Sequence, residues 1–477
     1  MVLQVGTTTQ EITVSAAPPL VESQTSSLGT VETEQRIVDL PLNGRNFFQL
    51  AFLGPGANQG AQGNGALRGT TDNNRPGISL AVNGLQNFDN NFLLDGVDNN
   101  EFGQGTVIVQ PAPDAIQELR FAENSMKAEF GRGGASMNLV LKSGTNQLHG
   151  GAYEFIRNTV LDARNFFDVS RPPFQRNQFG FFLGGPIKKD RTFIFGDYQG
   201  TQIRQGLTFI STVPTALERQ GDFSEPGTTI YDPYTTNPAT GERQVINPSN
   251  PVVIPQKRIN AVGQNVVSVF PLPNLPGLTY NFLLNPKAVT KGNQYDIRLD
   301  HRFSDRDQVF FHDAFQQVDF LKPAPLGAAG GCCQGFGSNI DGRYQSYGAG
   351  WTHTLSPPLL NDLHGGFFRW RINTVHLNSG QNLSQALGIP NANRGDLNSS
   401  GLSLFFIGGL SSMGNSHYVP EIAVDDTYQV ADTLSWIHGK HTIKFGGDFR
   451  RLQRNFYQAQ APFGLFEFGG NFTSDPS

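Results

Sequence analysis

From about residue 147 onward, apolar and polar residues alternate with a period of two in segments of about ten residues, the length of a membrane-crossing strand. The clearest runs from Gln294 to Phe303. Gln294, Asp296, Arg298, Asp300 and Arg302 share one face, and Tyr295, Ile297, Leu299, His301 and Phe303 share the other. Two further segments repeat the pattern. Thr442, Lys444, Gly446, Asp448 and Arg450 oppose Ile443, Phe445, Gly447 and Phe449. Thr427, Gln429, Ala431, Thr433 and Ser435 oppose Tyr428, Val430, Leu434 and Trp436, with Asp432 a misfit. A strand with one polar face and one mainly apolar face suits a wall between water and lipid. The polar row Gln294, Asp296, Arg298, Asp300 and Arg302 is therefore expected to face an aqueous lumen.

The pattern predicts strands near 147–158, 176–188, 190–203, 292–303, 307–320, 343–355, 360–374, 425–437 and 440–457. Four connections are tight: Lys188–Arg191, Ser304–Asp307, Ser356–Asn361 and His438–His441. The others are long, the largest running from about 204 to 291. Alternating short and long connections are the signature of barrels with short periplasmic turns and long outer loops. A soluble β-sandwich also alternates, but it rarely carries so long a connection. Tyr295 and Phe303 bracket one apolar face, and Tyr428 and Trp436 another, as interfacial aromatic girdles do.

The first part of the chain has a different texture. Residues 1–35 are Thr-, Ser- and Val-rich, with Pro18-Pro19 as a breaker. Residues 36–146 are rich in Gly and Asn, and their short apolar runs Ile37–Leu42, Ile78–Val82, Phe92–Leu94, Val107–Val109 and Leu139–Leu141 read as short strands between turns. Pro113–Asn124 suits a helical turn followed by a strand.

Composition narrows the function. Only 16% of residues are charged, and Lys and Arg number 35 against 40 Asp and Glu. With no basic run and no C-x-x-C spacing, a nucleic-acid partner is not expected. No apolar stretch reaches the length of a transmembrane helix, but a mean hydropathy of −0.32 also fits a barrel wall. The N-terminus MVLQVGTTTQ has neither the basic nor the apolar region of a signal peptide. Since a barrel protein must first cross the inner membrane, the chain reads as a fragment or a mis-started reading frame. The adjacent Cys332 and Cys333 read as a loop turn rather than a metal or redox centre.

Several segments in order carry a family resemblance. These are DLPLNGRNFFQLAFLGPGA (39–57), ALRGTTDNNRPGISLAVNG (66–84), NFLLDGVDNNEFG (91–103) and IQELRFAENSMKAEFGRGGASMNLVLKSGTNQLHGGAYEF (116–155), followed by RNQFGFFLGGPIKKDRTFIFGDYQG (176–200) and TVPTALERQGDFS (212–224). Together they resemble Oar-like TonB-dependent outer-membrane transporters. The resemblance places plug-motif residues at Pro41, Asn43, Gly44, Arg45, Arg68, Gly69, Asp95, Gly96, Gly133, Gly134, Lys142, Ser143 and Gly144. It implies a mainly β fold: a small α+β plug domain, then the first part of an antiparallel transmembrane β-barrel, with about 9–10 of the family's 22 strands. The expected domains are an N-terminal extended segment (1–35), a plug (36–146) and a partial barrel with long extracellular loops (147–477). The chain ends in NFTSDPS rather than the family's terminal aromatic strand, which again reads as truncation.

Residues 10–16 (QEITVSA) resemble a TonB box, in which Glu11, Ile12, Thr13, Val14 and Ser15 would pair with TonB by β-augmentation. The competing reading makes them the last strand of a preceding carboxypeptidase-regulatory-like domain. Asp95–Asn100 is acidic and turn-prone; it lacks EF-hand spacing and is expected to be an Asx-stabilised turn rather than a calcium loop. Arg45, Arg68, Arg75, Arg120 and Arg132 are expected to offer the plug's charged contacts to the lumen. No nucleophile–base arrangement stands out, and neither an enzyme activity nor a cofactor or metal is expected. The resemblance implies transport of an unidentified extracellular substrate across the outer membrane of a Gram-negative bacterium, with the TonB–ExbB–ExbD complex and outer-membrane lipid as partners. A surface adhesin or structural outer-membrane β-protein is the alternative, and a soluble β-rich enzyme a more distant one.

Overall fold

The computed structural model describes residues 28–59, 80–103, 105–124, 128–130, 134–164, 171–331 and 337–475. Two sheets dominate. The first has five strands: β1 (Leu28–Thr33), β2 (Asn91–Leu94), β3 (Val97–Asp98), β4 (Ile116–Asn124) and β5 (Ser136–Leu141). Their spatial order is β1-β4-β5-β2-β3, antiparallel throughout except for the parallel β2–β5 pair. Phe47, Phe48, Leu94, Ile116, Leu119 and Leu139 are buried within this unit.

One expected strand is a helix. The run Ile37–Leu42 begins inside α1 (Glu34–Asp39), which buries only Ile37 and ends at the extended Leu40 before Pro41. Six residues are too few for helical periodicity to show in a sequence. Pro113–Ala115 forms the expected helical turn directly before β4.

The second sheet has nine antiparallel strands in chain order. They are β6 (His149–Asn158), β7 (Phe174–Lys188), β8 (Thr192–Gly206), β9 (Lys287–Arg302), β10 (Asp307–Lys322), β11 (Ser338–Ser356), β12 (Leu359–His376), β13 (Glu421–His438) and β14 (His441–Gln458). Each coincides with an expected strand. Several begin about five residues earlier than the alternation suggests, because there the buried face is carried by small or polar residues such as Ala288, Thr290, Ser338 and Ala423 and the apolar row fades. Short connections (189–191, 303–306, 357–358, 439–440) alternate with long ones (159–173, 207–286, 323–337, 377–420). The sheet is not closed on itself: β6 and β14 each have one neighbour.

Its two faces invert the rule for water-soluble proteins. Asp296 is 1% exposed and Asp425 0%, while Ile297 is 39%, Phe311 43% and Phe445 79% exposed. Buried charge backed by an exposed apolar surface is the arrangement of a wall whose outer solvent is lipid. Aromatic rows cross the outer face. Tyr198 sits opposite Tyr295, which stacks on Phe315 at 5.2 Å, and Phe367 lies 4.9 Å from Tyr428. Trp351 and Trp436 lie near the tight turns. Tyr428 and Trp436 are eight residues apart on β13, or ~27 Å along the strand and roughly 20 Å along the membrane normal after tilt, near the ~25 Å apolar band of outer-membrane barrels.

The inner face packs on the small sheet, and Phe195, Tyr344 and Phe368 join its core. The long connections form a separate outer body around Val213, Phe270, Leu326, Ile389, Leu402 and Met413. Within it, α2 (Ala261–Ser268) is capped by Asn260, whose side chain accepts from the Val262 and Gly263 amides, and α3 (Leu383–Ala386) forms one turn.

Candidate functional site

The two sheets meet most densely around the β2–β3 hairpin. Its turn is Asp95-Gly96, with φ of 50° and 80°. Positive φ at both central residues of a two-residue turn is the geometry Asp-Gly favours. The turn leaves the Asp95 carboxylate, the Val97 side chain and the Asp98 carboxylate at the wall.

Asp95 Oδ1 accepts from the Leu141 amide at 3.0 Å and from Arg298 Nη1 at 2.6 Å. Its Oδ2 lies 3.0 Å from Nδ1 of the fully buried His312, whose Nε2 is 3.2 Å from Ser346 Oγ. Arg298 also donates to the Leu141 carbonyl at 3.1 Å and to Asp300, and it lies 4.8 Å over the Phe310 ring. Asp98 receives Arg450 Nη1 at 3.0 Å, and its amide donates to Gln429 Oε1 at 2.7 Å. Asn100 bonds back to Asp98 through its amide at 3.1 Å and through its side chain, an Asx arrangement. Arg454 lies 3.7 Å from Glu101 and 3.6 Å from Asp425. Two hairpin carboxylates, Asp95 and Asp98, and Glu101 just beyond the hairpin thus meet three wall guanidiniums. Asp98 accepts at both carboxylate oxygens and Asp95 at Oδ1, and no cluster of metal-ligating side chains occurs among the described residues.

Steric fit accompanies charge. A Cβ on Gly366 would lie 2.0 Å from Val97 Cγ1, and one on Gly96 would lie 3.2 Å from the His364 ring. Glycine in β12 therefore makes room for the tip of the hairpin.

The other expected site residues are distributed around this seam. Gln294 Nε2 donates to the Gln110 carbonyl at 3.2 Å, and Asp300 accepts from Ser143 Oγ at 2.6 Å. Asp296 is buried opposite Asp197 across the β8–β9 pair. Arg302 lies outside the seam, bonded to Asp305 at 2.7 Å in a tight turn. Gly44 has φ of 67°, and its carbonyl accepts from Gln178. Lys142 pairs with Glu34 at 2.8 Å and lies 5.0 Å above Phe182. Backbone crowding explains two glycines: a Cβ on Gly134 would sit 2.5 Å from the Asp89 carbonyl oxygen, and one on Gly144 2.4 Å from those of Gly185 and Ile194. Pro41 precedes the short helical turn Asn43–Arg45. Glu11, Ile12, Thr13, Val14, Ser15, Arg68, Gly69, Arg75, Arg132, Gly133, Cys332 and Cys333 lie outside the described residues.

The charge polarity of the seam differs from expectation. Arg45 pairs with Asp114 and lies 4.3 Å from the Tyr153 ring centre, and Arg120 pairs with Glu118 at 2.6 Å. Both arginines find carboxylates within the small unit itself. The cations that cross the seam at the hairpin belong to the wall. Sequence reasoning missed Glu101, His312 and Arg454 as members of this site, while the polar row of β13 already held Gln429. The polar row of β14 already held Arg450, but no spacing rule links it to a partner 352 residues away.

Comparisons with known proteins agree with this architecture. Residues 140–477 match the family described as outer membrane beta barrel domain. The chain is 26% identical over 204 residues to the TonB-dependent transporter Oar of Myxococcus xanthus, covering 39% of this chain and 18% of that protein. It is similar in fold to the outer membrane transporter YddB from Escherichia coli, with a TM-score of 0.53, 9% identity, and coverage of 90% of this chain and 48% of that one. A mutant ferric enterobactin receptor from Pseudomonas aeruginosa matches with a TM-score of 0.48 and 11% identity, over 89% of this chain and 48% of that one. The chain thus spans about a fifth of the curated relative and about half of the solved structures it matches.

Proposed function

The chain belongs to the outer membrane beta barrel domain family, and from that membership we propose that it serves TonB-dependent active transport of a substrate across the bacterial outer membrane. Residues 36–146 act as the plug, and residues 147–477 form part of the barrel around it. TonB, energised with ExbB and ExbD, pairs with Glu11–Ser15 by β-augmentation and pulls. The plug then shifts, and the substrate passes the lumen chemically unchanged.

The observation that supports this reading most is the matched seam of Asp95, Asp98 and Glu101 with Arg298, Arg450 and Arg454. Ion pairs facing a polar lumen exchange their partners for water when separated, so they specify a docked position without welding it. The test is retention of the detergent-extracted full chain by an immobilised TonB C-terminal domain. Ile12→Pro, which removes a strand donor, should abolish retention. Equal retention of both proteins, or of neither, would remove the TonB step.

One observation favours the second reading, a surface adhesin. The outer connections carry a hydrophobic core of their own, as a binding module does. An adhesin predicts partner binding that is indifferent to Ile12→Pro.

A further inference from the structure

The outer body contains a cavity of about 510 Å³. It lies where β10 and β12 end and β11 begins, beside α3 and the last turn of α2. That volume is in the range of sites that enclose a small ligand.

Its walls are made of small and aliphatic residues. Ala324, Ala329, Gly330, Leu377, Leu387 and Leu402 are among them. Backbone contact closes the Gly330 side: Gly331 donates to the Gly414 carbonyl at 2.8 Å, and Gly414 donates to the Ala329 carbonyl at 2.9 Å. A Cβ on Gly330 would lie 2.3 Å from that Gly414 oxygen, so glycine is required for the wall to close. Three carboxamides supply the polar groups: Asn378, Gln381 and Asn415. Asn415 Nδ2 donates to Asn378 Oδ1 at 2.8 Å, which fixes both amides at one edge. Among the described residues, no charged side chain and no aromatic ring lines the cavity.

That chemistry selects its occupant. A carboxylate, phosphate or catecholate would enter without a counter-charge among the described residues, and burying an unpaired charge is unfavourable. Among the described residues a sugar ring would find no flat aromatic face. A neutral chain with apolar branches fits the aliphatic walls, and its amide groups match carboxamides, which both donate and accept. We infer that this cavity binds an uncharged, predominantly apolar peptide segment. The inference rests on the transport reading, for which it supplies the substrate class.

The test uses the full chain folded in lipid nanodiscs and two probes, N-acetyl-Leu-Leu-amide and its anionic N-succinyl-Leu-Leu analogue. Titration calorimetry should show saturable binding of the capped peptide, with the anionic analogue weaker by about tenfold or more. Ala328 and Ala386 are exposed rim residues, so Ala328→Trp and Ala386→Trp should fold normally and fill the opening. Each should weaken the capped peptide by about tenfold. Equal affinity for the two probes, unchanged affinity in both rim variants, or no saturable binding would overturn the inference. The titration contains no TonB, so failure here leaves the transport reading standing. Binding that persists alongside TonB-independent behaviour of Ile12→Pro would sink the transport reading and spare the site.

Discussion

Arg298 on β9 and Asp95 at the hairpin turn meet at 2.6 Å across 203 residues of sequence. Both side chains are largely buried, and each is held by a second partner from its own unit, Asp300 for Arg298 and the Leu141 amide for Asp95. Breaking such a pair from one side strands a buried charge, which costs about 3–5 kcal/mol. Arg298→Ala should therefore raise amide exchange across residues 91–101 by orders of magnitude. Arg298→Ala combined with Asp95→Asn should lose less than the two single changes summed. Strict additivity would mean that the pair does not hold the hairpin.

Gly366 and Val97 define a steric lock. Gly366→Leu places atoms where Val97 Cγ1 lies and should expel the hairpin tip. Val97→Gly in the same chain should restore much of the amide protection of residues 94–99. If the double variant stays as open as Gly366→Leu alone, the defect lies in β12 and not in the contact.

Lys444 and Glu129 form a further cross-unit pair at 2.8 Å, but it is exposed. Pairs of this kind are screened by salt and contribute little. Lys444→Ala should leave exchange in the hairpin unchanged from low to high ionic strength, in contrast to Arg298→Ala.

The wall should resist charge by depth. Phe311 is an exposed outer-face residue level with Leu299, midway between Tyr295 and Phe303. Phe311→Arg should destabilise the folded chain in lipid vesicles by about 2–4 kcal/mol. Tyr234→Arg, in the exposed outer connection, should be close to neutral. Equivalent effects in a denaturant titration would argue against lipid on this face.

Acid should loosen the outer body in a defined direction. Arg258 donates to both carboxylate oxygens of Asp232, at 2.9 Å each, and holds it below its ordinary value of 3.8. Because the folded value is the lower one, the contribution is complete above 3.8 and is lost as pH falls through the folded value. Protease nicking within residues 225–250 should rise below that point. Arg258→Met should move the rise to higher pH. No movement would mean that Asp232 does not secure this connection.

Strands were readable because lipid on one side and water on the other impose a strict period of two, as Gln294–Phe303 shows. Even the misfit Asp432 was visible; in the structure Asn361 donates to it across the strand pair. The Asp95-Gly96 turn was equally local, as were the Asx bonds between Asn100 and Asp98 that follow it. What could not be read was partnership. Arg45 stays with Asp114, while Asp98 waits for Arg450, and both outcomes depend on how the long connections return the chain. The brief α1 was hidden because Ile37 alone is buried, leaving no repeating apolar stripe.

The order β1-β4-β5-β2-β3 sets β1 and the β2–β3 hairpin on opposite margins of one small sheet. A tensile load entering from the N-terminal side meets β1 first, and within the sheet β4 and β5 separate that strand from the hairpin. The elements then bear that load in series, and the margin nearest the pull yields first. β1 would peel from β4 like a tear strip while the far margin stays anchored. Opening would proceed in stages, with the early work spent in unwinding an edge and the later work in freeing the hairpin.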